Sequence, residues 1–284
     1  MQINYKHHDS QLVFRRTADK IQLLGLFVNP PFPGTCLKGS SILELQFTTR
    51  ACSSGLGQVH TVSDDRMKMV MIDIFTRQLG DLLVIILKDL TTSMLVEINY
   101  LLYRGLPIIR MWARVRNDSS VPINLHMIRS TILHNIGGIC SHLHRKNMVV
   151  YYCADLGRGC VYRQNLAQPP PKTHPWVMPG TLPIGVVEEA DTGRAWYWHL
   201  EHPLMWNWEI GERTKGCLSL WTNNHVPRQQ SSRKELKPGL AVETSAVSFG
   251  LASGGSHQAW DVLDTYWRYV LKSDQRLLAM DYRH

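Results

Sequence analysis

The sequence predicts a mainly β protein arranged as a sandwich, on three observations. Apolar residues recur in short runs that either alternate with polar ones or are apolar throughout, the two patterns of half-buried and fully buried strands. Turn-forming clusters separate these runs at regular intervals, as in a sandwich meander. Helical spacing of apolar residues is confined to one segment near the end. With 284 residues, 44% of them apolar and 19% charged, the chain belongs to the ordinary globular class and is long enough to bury a substantial core as one large all-β domain.

The elements follow in order. Gln11 to Phe14 and Lys20 to Phe27 read as an opening hairpin. Asn29-Pro-Pro-Phe-Pro-Gly34 then breaks the pattern, because three prolines remove backbone donors. Ser41 to Thr48, SILELQFT, alternates as a strand. Leu82 to Leu87, Met94 to Tyr103, Ile108 to Asn117 and Ile123 to Leu133 follow, with LYRGLP and NDSSVP as turns. The proline-rich stretch Gln168 to Pro183 cannot form a central strand and is expected on the surface, as a lid or a connection. Strands resume at Leu182 to Glu188, Ala195 to Leu200, Trp206 to Ile210, Cys217 to Thr222 and Ala241 to Gly250, with Asp191-Thr-Gly193 and Lys237-Pro-Gly239 as turns. In Ser256 to Lys272, Trp260, Leu263, Tyr266, Trp267, Val270 and Leu271 share a helical face, predicting one amphipathic helix. The last residues read as a polar tail.

Composition excludes several classes. No apolar run reaches the roughly 18 residues of a membrane span, and MQINYKHHDS carries no signal-peptide pattern, so a cytoplasmic protein with no membrane partner is expected. Cys36, Cys52, Cys140, Cys153, Cys160 and Cys217 form no C-x-x-C pair and read as reduced thiols. His7-His8 and His142-x-His144 could place imidazoles together, but no carboxylate or cysteine completes a ligand set, and neither metal nor other cofactor is expected. The formal charge of +8 suggests a polyanion partner, yet the basic stretches Arg104 to Arg116 and Arg228 to Lys237 are interrupted at strand-like spacing. They suit solvated faces, and no specific nucleic-acid partner is expected.

Sequence signatures of nucleophile elbows, phosphate loops, dinucleotide folds and metalloproteases are absent. Two segments stand out instead. In RAWYWHLEHPLMWNWEIG, Arg194 to Gly211, the residues Trp196, Trp198, Trp206 and Trp208 supply aromatic faces of the kind that hold sugars, beside the acids Glu201 and Glu209 and the imidazole of His202. The competing reading is that each pair, spaced by two, fills the sandwich core; the residues favour core packing for one pair and leave the other open. Glu201 and His202 fall between strands, where a structural ion pair competes with a ligand role. The second segment is the loop ACSSGLGQVHTVSDD, Ala51 to Asp65, whose Gln58 and His60 offer hydrogen-bonding groups at a sandwich end.

Taken together, these segments resemble the N-terminal domain of the glycoside hydrolase family 36 α-galactosidases. SILELQFT and the loop ending at His60-Thr61 resemble that family's early strand and loop. LVEINYLLYRGLPIIRMWARVRN resembles its meander, LPIGVVEEADTGRAWYWHLEHPLMWNWEIG its tryptophan-rich segment, and LKPGLAVETSAVSFGLASGGSHQAWDVLDTYWR its closing strands and linker helix. The resemblance covers most of residues 12 to 272. It implies a β-supersandwich related to galactose-mutarotase-like domains over 1–255, a linker helix over 256–272 and a tail over 273–284. In the family the catalytic (β/α)8 barrel follows this helix and carries the nucleophile in a K-W-D-type motif. No K-W-D occurs here, which implies that both catalytic carboxylates lie outside this sequence and that the chain is inactive alone. Pro203-Leu204-Met205 and the section Ile139 to Arg163 depart from the family pattern.

The resulting expectation is a non-catalytic domain that assists substrate-site closure or oligomerisation, with Gln58, His60, His202, Trp206, Trp208 and Glu209 as substrate-binding candidates and no catalytic residue. Its partners would be an α-galactoside or other carbohydrate, and a catalytic-barrel polypeptide or further copies of the chain. The alternative is a free-standing carbohydrate-binding module. A mutarotase-type enzyme would need a converging His and carboxylate; His202 and Glu201, adjacent on a strand, would point to opposite faces.

Overall fold

The computed structural model describes residues 1–28, 39–49, 58–64, 66–137, 148–155, 160–165, 176–177, 183–201, 208–214, 217–225 and 235–268. These form twenty strands and one helix, in three antiparallel sheets. A three-stranded sheet runs in the order β1 (Gln2–His7), β2 (Ser10–Arg16) and β3 (Ile21–Val28). A seven-stranded sheet has the order β13 (Trp176–Val177), β16 (Trp208–Thr214), β17 (Cys217–His225), β10 (Ile123–Ile136), β4 (Leu43–Thr49) and β5 (Gln58–Ser63), with β18 (Glu235–Leu236) also paired to β10. A ten-stranded sheet runs β12 (Cys160–Asn165), β11 (Met148–Asp155), β14 (Ile184–Glu189), β15 (Arg194–Leu200), β20 (Val247–Ala252), β9 (Ile109–Asn117), β8 (Met94–Tyr103), β7 (Gly80–Lys88) and β6 (Lys68–Thr76), with β19 (Ala241–Glu243) also on β9. The predicted mainly β architecture is what is observed.

The main core lies between the two large sheets and is closed by the three-stranded one. Phe14 of β2, Leu45 and Phe47 of β4, Ile98 and Tyr100 of β8, and Trp198 of β15 are all buried in a single apolar cluster. Strand β15 explains how one sequence serves two layers. Its alternating residues Trp196, Trp198 and Leu200 enter that core, while Ala195 and Tyr197 face a second cluster with Ala259, Leu263 and Tyr266 of the helix. Both faces are covered, so Ala195 to Trp198 are apolar in succession rather than alternating with polar residues. Gly185, directly opposite Trp198, makes room for the indole: a Cβ there would lie 2.1 Å from the ring.

The helix α1 (Gly255–Tyr266) starts one residue before the predicted segment, and the predicted stretch from 269 onward lies outside the described residues. Among the described residues, no helix is long and apolar enough to cross a membrane.

Several elements differ from the sequence reading. The opening hairpin gains a third strand, β1, paired with β2 from Gln2–Arg15 to His7–Ser10. The end of the 51–65 loop is strand, because β5 pairs with β4 along its full length; the alternation in QVHTVS outweighs the preceding glycines. Strand β6 is an exposed edge whose polar and apolar residues do not alternate cleanly in burial. Strands β11 and β12 occupy part of the section read as divergent. The expected strand 241–250 is two strands, β19 and β20, which continue along the same neighbour β9. Thr244 bridges the gap: its hydroxyl accepts from Ala113 N at 2.9 Å, so the β9 backbone stays satisfied where the ladder breaks. Within the proline-rich stretch, β13 pairs at the margin of its sheet, the position that neighbouring prolines allow.

Candidate functional site

Two buried polar assemblies stand out, one on the outer face of the seven-stranded sheet and one beneath α1. The first follows from register. In β4, β10, β16 and β17 the residues that alternate with the core positions project to the opposite face. Glu44 pairs with Arg129 and Arg129 with Asn223, while Trp221 is opposite both Thr131 and Glu209. These side chains therefore share one face. Glu209 is only 5% exposed. Its two oxygens are each engaged: Trp221 Nε1 donates to Oε2 at 2.6 Å and Asn223 Nδ2 to Oε1 at 2.7 Å. Arg129 lies 3.7 Å from Glu209 and 3.7 Å from Glu44, and donates to Asn223 Oδ1 at 2.5 Å. About a fifth of the Arg129 and Glu44 side chains remains exposed, at 22% and 21%. The arrangement is a buried carboxylate that fixes an indole, an amide and a guanidinium, with one cation and one anion reaching solvent. With both Glu209 oxygens already holding protein donors, the assembly does not offer a free pair of carboxyls for glycosidic hydrolysis.

The second assembly centres on Glu201. Arg110 donates to Glu201 Oε2 from Nε at 2.8 Å and from its terminal nitrogen at 2.8 Å, Tyr266 OH donates to Oε1 at 2.7 Å, and Ser248 Oγ also donates to Oε1. This realises the structural ion pair weighed for Glu201, with Arg110 as the partner. Burial raises the Tyr266 phenol pKa, and the Glu201 carboxylate raises it further; Glu201 likewise pulls the Arg110 pKa upward against burial. The network ties α1 to β9, β15 and β20.

Next to it, burial lowers the His199 pKa to about 4, Glu201 pulling weakly the other way. Its Nε2 accepts from Trp267 Nε1 at 3.4 Å, and Nδ1 has no hydrogen-bond partner among the described residues. Because the folded pKa lies below the ordinary value of 6.5, the unfolded chain binds the proton more readily. The stabilisation is complete above pH 6.5 and is lost as pH falls toward 4. We expect urea unfolding to show a loss on the order of a few kcal/mol across that interval, smaller in His199→Gln. Parallel curves for the two proteins would contradict this assignment.

The sequence candidates are distributed differently from the expectation. Glu209 is at the heart of the outer-face assembly. Trp208 is its neighbour in sequence but lies on the other face, 2% exposed and edge-on to Trp198 with ring centroids 4.9 Å apart. Both Trp196 and Trp198 are also in the core, so none of these three indoles presents a face to solution. His60 pairs with Phe47 and stacks on its ring at 5.3 Å, on the core side of β5 and away from Glu209. Gln58 begins β5, and nothing further is described of its side chain. His202 and Trp206 lie outside the described residues. Sequence reading missed Glu44, Arg129, Trp221 and Asn223. Alternation in LELQFT and SLWTNNH signals their outward direction, but no local pattern joins strands this far apart in the chain.

No protein-family model matches the sequence, and no curated protein matches it. Solved structures do. The chain is similar to the GH36 α-galactosidase AgaA of Geobacillus stearothermophilus, at 13% identity and a TM-score of 0.65, over 90% of this chain and 41% of that one. It is also similar to the α-galactosidase of Lactobacillus brevis, at 11% identity and a TM-score of 0.63, over 94% and 41%. The α-N-acetylgalactosaminidase NagBb of Bifidobacterium bifidum gives 11% identity and a TM-score of 0.54, over 95% and 39%. Variants of AgaA have been solved with raffinose and with stachyose. The chain thus has the fold of one portion of the GH36 galactosidases, and spans about two-fifths of their length. This likeness is one of fold.

Proposed function

We propose that this chain is the N-terminal, non-catalytic β-sandwich portion of an α-galactosidase-type glycoside hydrolase acting in the cytoplasm, where it assists substrate-site closure or assembly. The observation that carries the reading is the asymmetry of the structural match, 90% of this chain against 41% of AgaA. The chemistry agrees: the buried acids Glu201 and Glu209 are held by protein donors, an arrangement suited to building a surface rather than to proton transfer with substrate. On this reading the outer-face assembly of Glu44, Arg129 and Glu209 lies toward a ligand-bearing partner segment, and the ligand is an α-galactoside.

The test is hydrolysis of a chromogenic α-galactoside by the purified chain, alone and mixed with a GH36 barrel fragment. The chain alone is expected to be silent, and mixing to raise the barrel's turnover. Turnover by the chain alone would overturn the proposal. Saturable galactoside affinity with no effect on the barrel would replace it with a free-standing carbohydrate-binding module.

A further inference from the structure

The turn that carries the chain from β5 in the seven-stranded sheet to β6 in the ten-stranded sheet holds a fully buried acid, Asp64. The backbone fixes its place. Asp64 N donates to Leu43 O at 3.1 Å, Met67 N donates to Asp64 O at 3.2 Å, and Met67 and Met69 enter the main core. On the other side, Ser40 pairs with Leu23 of the three-stranded sheet. Thr131 of β10 holds the next two residues, its N–H donating to Ile42 O at 2.8 Å and its hydroxyl to Ser41 O at 2.6 Å. Asp64 therefore sits where all three sheets meet.

Its side chain is short of donors. Oδ1 is in close contact with Ser41 Oγ and lies 3.4 Å from Leu43 N, while Oδ2 has no hydrogen-bond partner among the described residues. Proton counting then points to the neutral acid. Ser41 Oγ also lies 2.9 Å from Leu43 O, so a single hydroxyl hydrogen faces two acceptors. When it goes to Leu43 O, the close contact between the Ser41 and Asp64 oxygens needs a hydrogen of its own, and a carboxylic acid supplies it. A carboxylate would instead leave a charged oxygen bare in the interior, which costs far more than a bare carbonyl.

The surrounding groups offer that charge no compensation. Tyr100 of β8 acts on Asp64, and its phenol is itself fully buried and kept neutral by burial. Glu44 of β4 turns to the outer face with Arg129 of β10. Arg66 of the turn, Lys68 of β6, and Asp19 and Lys20 between β2 and β3 are exposed, and His60 of β5 stacks on Phe47. Burial pushes the Asp64 carboxyl pKa up to about 7, with Ser41 and the nearby backbone amides pulling the other way.

We infer that the Asp64 proton is a latch between the two large sheets: the neutral acid donates to Ser41 Oγ and holds the start of β4 against the crossover, and ionisation loosens both. The strands it governs are β4 and β5, at the margin that carries Glu44. This inference does not depend on the galactosidase reading.

The sign follows from linkage. The folded pKa lies above the ordinary value of 3.8, so the folded chain binds the proton more readily; the stabilisation is complete below pH 3.8 and is lost as pH rises toward 7. His7 and His199, both lowered to about 4, act with the opposite sign over the same interval. The overall stability curve therefore does not isolate Asp64, and a local readout is needed.

The test follows the carbon-13 signal of the Asp64 carboxyl, and hydrogen exchange at the Leu43, Asp64 and Met67 amides, in the intact chain. The carboxyl is expected to titrate with a midpoint near 7. Protection of the three amides should fall at least tenfold between about pH 5 and 7, since one unit of pKa difference is a factor of ten. Asp64→Asn, whose amide donates to Ser41 without carrying charge, should hold that protection constant over the interval. A carboxyl midpoint below about 5, parent protection unchanged across the interval, or an asparagine variant that follows the parent's pH dependence would each overturn the proposal. The first two readouts need no variant.

Discussion

Trp198→Ala is expected to destabilise the fold by about 3–5 kcal/mol, measured as a fall in the urea midpoint at constant slope. The indole is fully buried and meets Trp208 edge-on at 4.9 Å. It also covers Gly185 on the neighbouring strand. Truncation therefore opens a cavity spanning both large sheets, and the paired backbones around Gly185 cannot move in to fill it. Trp198→Phe keeps much of the volume and should recover part of the loss. A cost under about 1 kcal/mol for the alanine variant would show that the site collapses freely and that the indole does not hold the two sheets together.

The second large effect is expected at Glu209. Removing the carboxylate in Glu209→Ala strands the Trp221 N–H and Asn223 amide donors in a buried place and leaves Arg129 with less opposing charge. Loss of one partner of such a set costs about 3–5 kcal/mol. Glu209→Gln should be intermediate, because the amide oxygen accepts one bond while its NH2 group meets another donor. The distinguishing measurement is thermal unfolding of both variants, together with their ability to raise the turnover of a GH36 barrel fragment. If Glu209 only braces the sheet, stability and stimulation fall in proportion; if the face also meets substrate or barrel, Glu209→Gln loses stimulation beyond its loss of stability. A glutamine variant as stable and as stimulating as the parent would remove Glu209 from both roles.

How much was legible in the sequence depends on the range of the interactions that decide each feature. Strand β8 was predicted with its observed bounds, Met94–Tyr103, because ten residues of apolar, β-branched and aromatic character between two turns leave no other low-energy choice. The helix was legible for the same local reason. Strand β6, by contrast, is an exposed edge, and exposure removes the alternation from which strands are read. The split of 241–250 was hidden because it depends on Thr244 meeting Ala113 more than a hundred residues earlier.

The candidate site shows the same division. Glu209 was named from sequence for its place beside tryptophans, and the structure puts it at the centre of a polar assembly, but with different neighbours. Trp208, chosen on the same grounds, lies on the opposite face because successive strand residues must point apart. For Glu201 the sequence left a structural ion pair and a ligand role open, and the partner that it meets, Arg110, lies on β9 and could not be read from local spacing.

By itself, then, the sequence determined the fold class, the strands of the central meander, the closing helix and the resemblance to the galactosidase sandwich, because periodicity and turn chemistry act over a few residues. Only the tertiary structure decided that β15 serves two cores and that Trp208 is buried while Glu209 organises the outer face. Those facts depend on strand register and on side chains brought together from distant parts of the chain, where the physics is short-ranged in space and long-ranged in sequence.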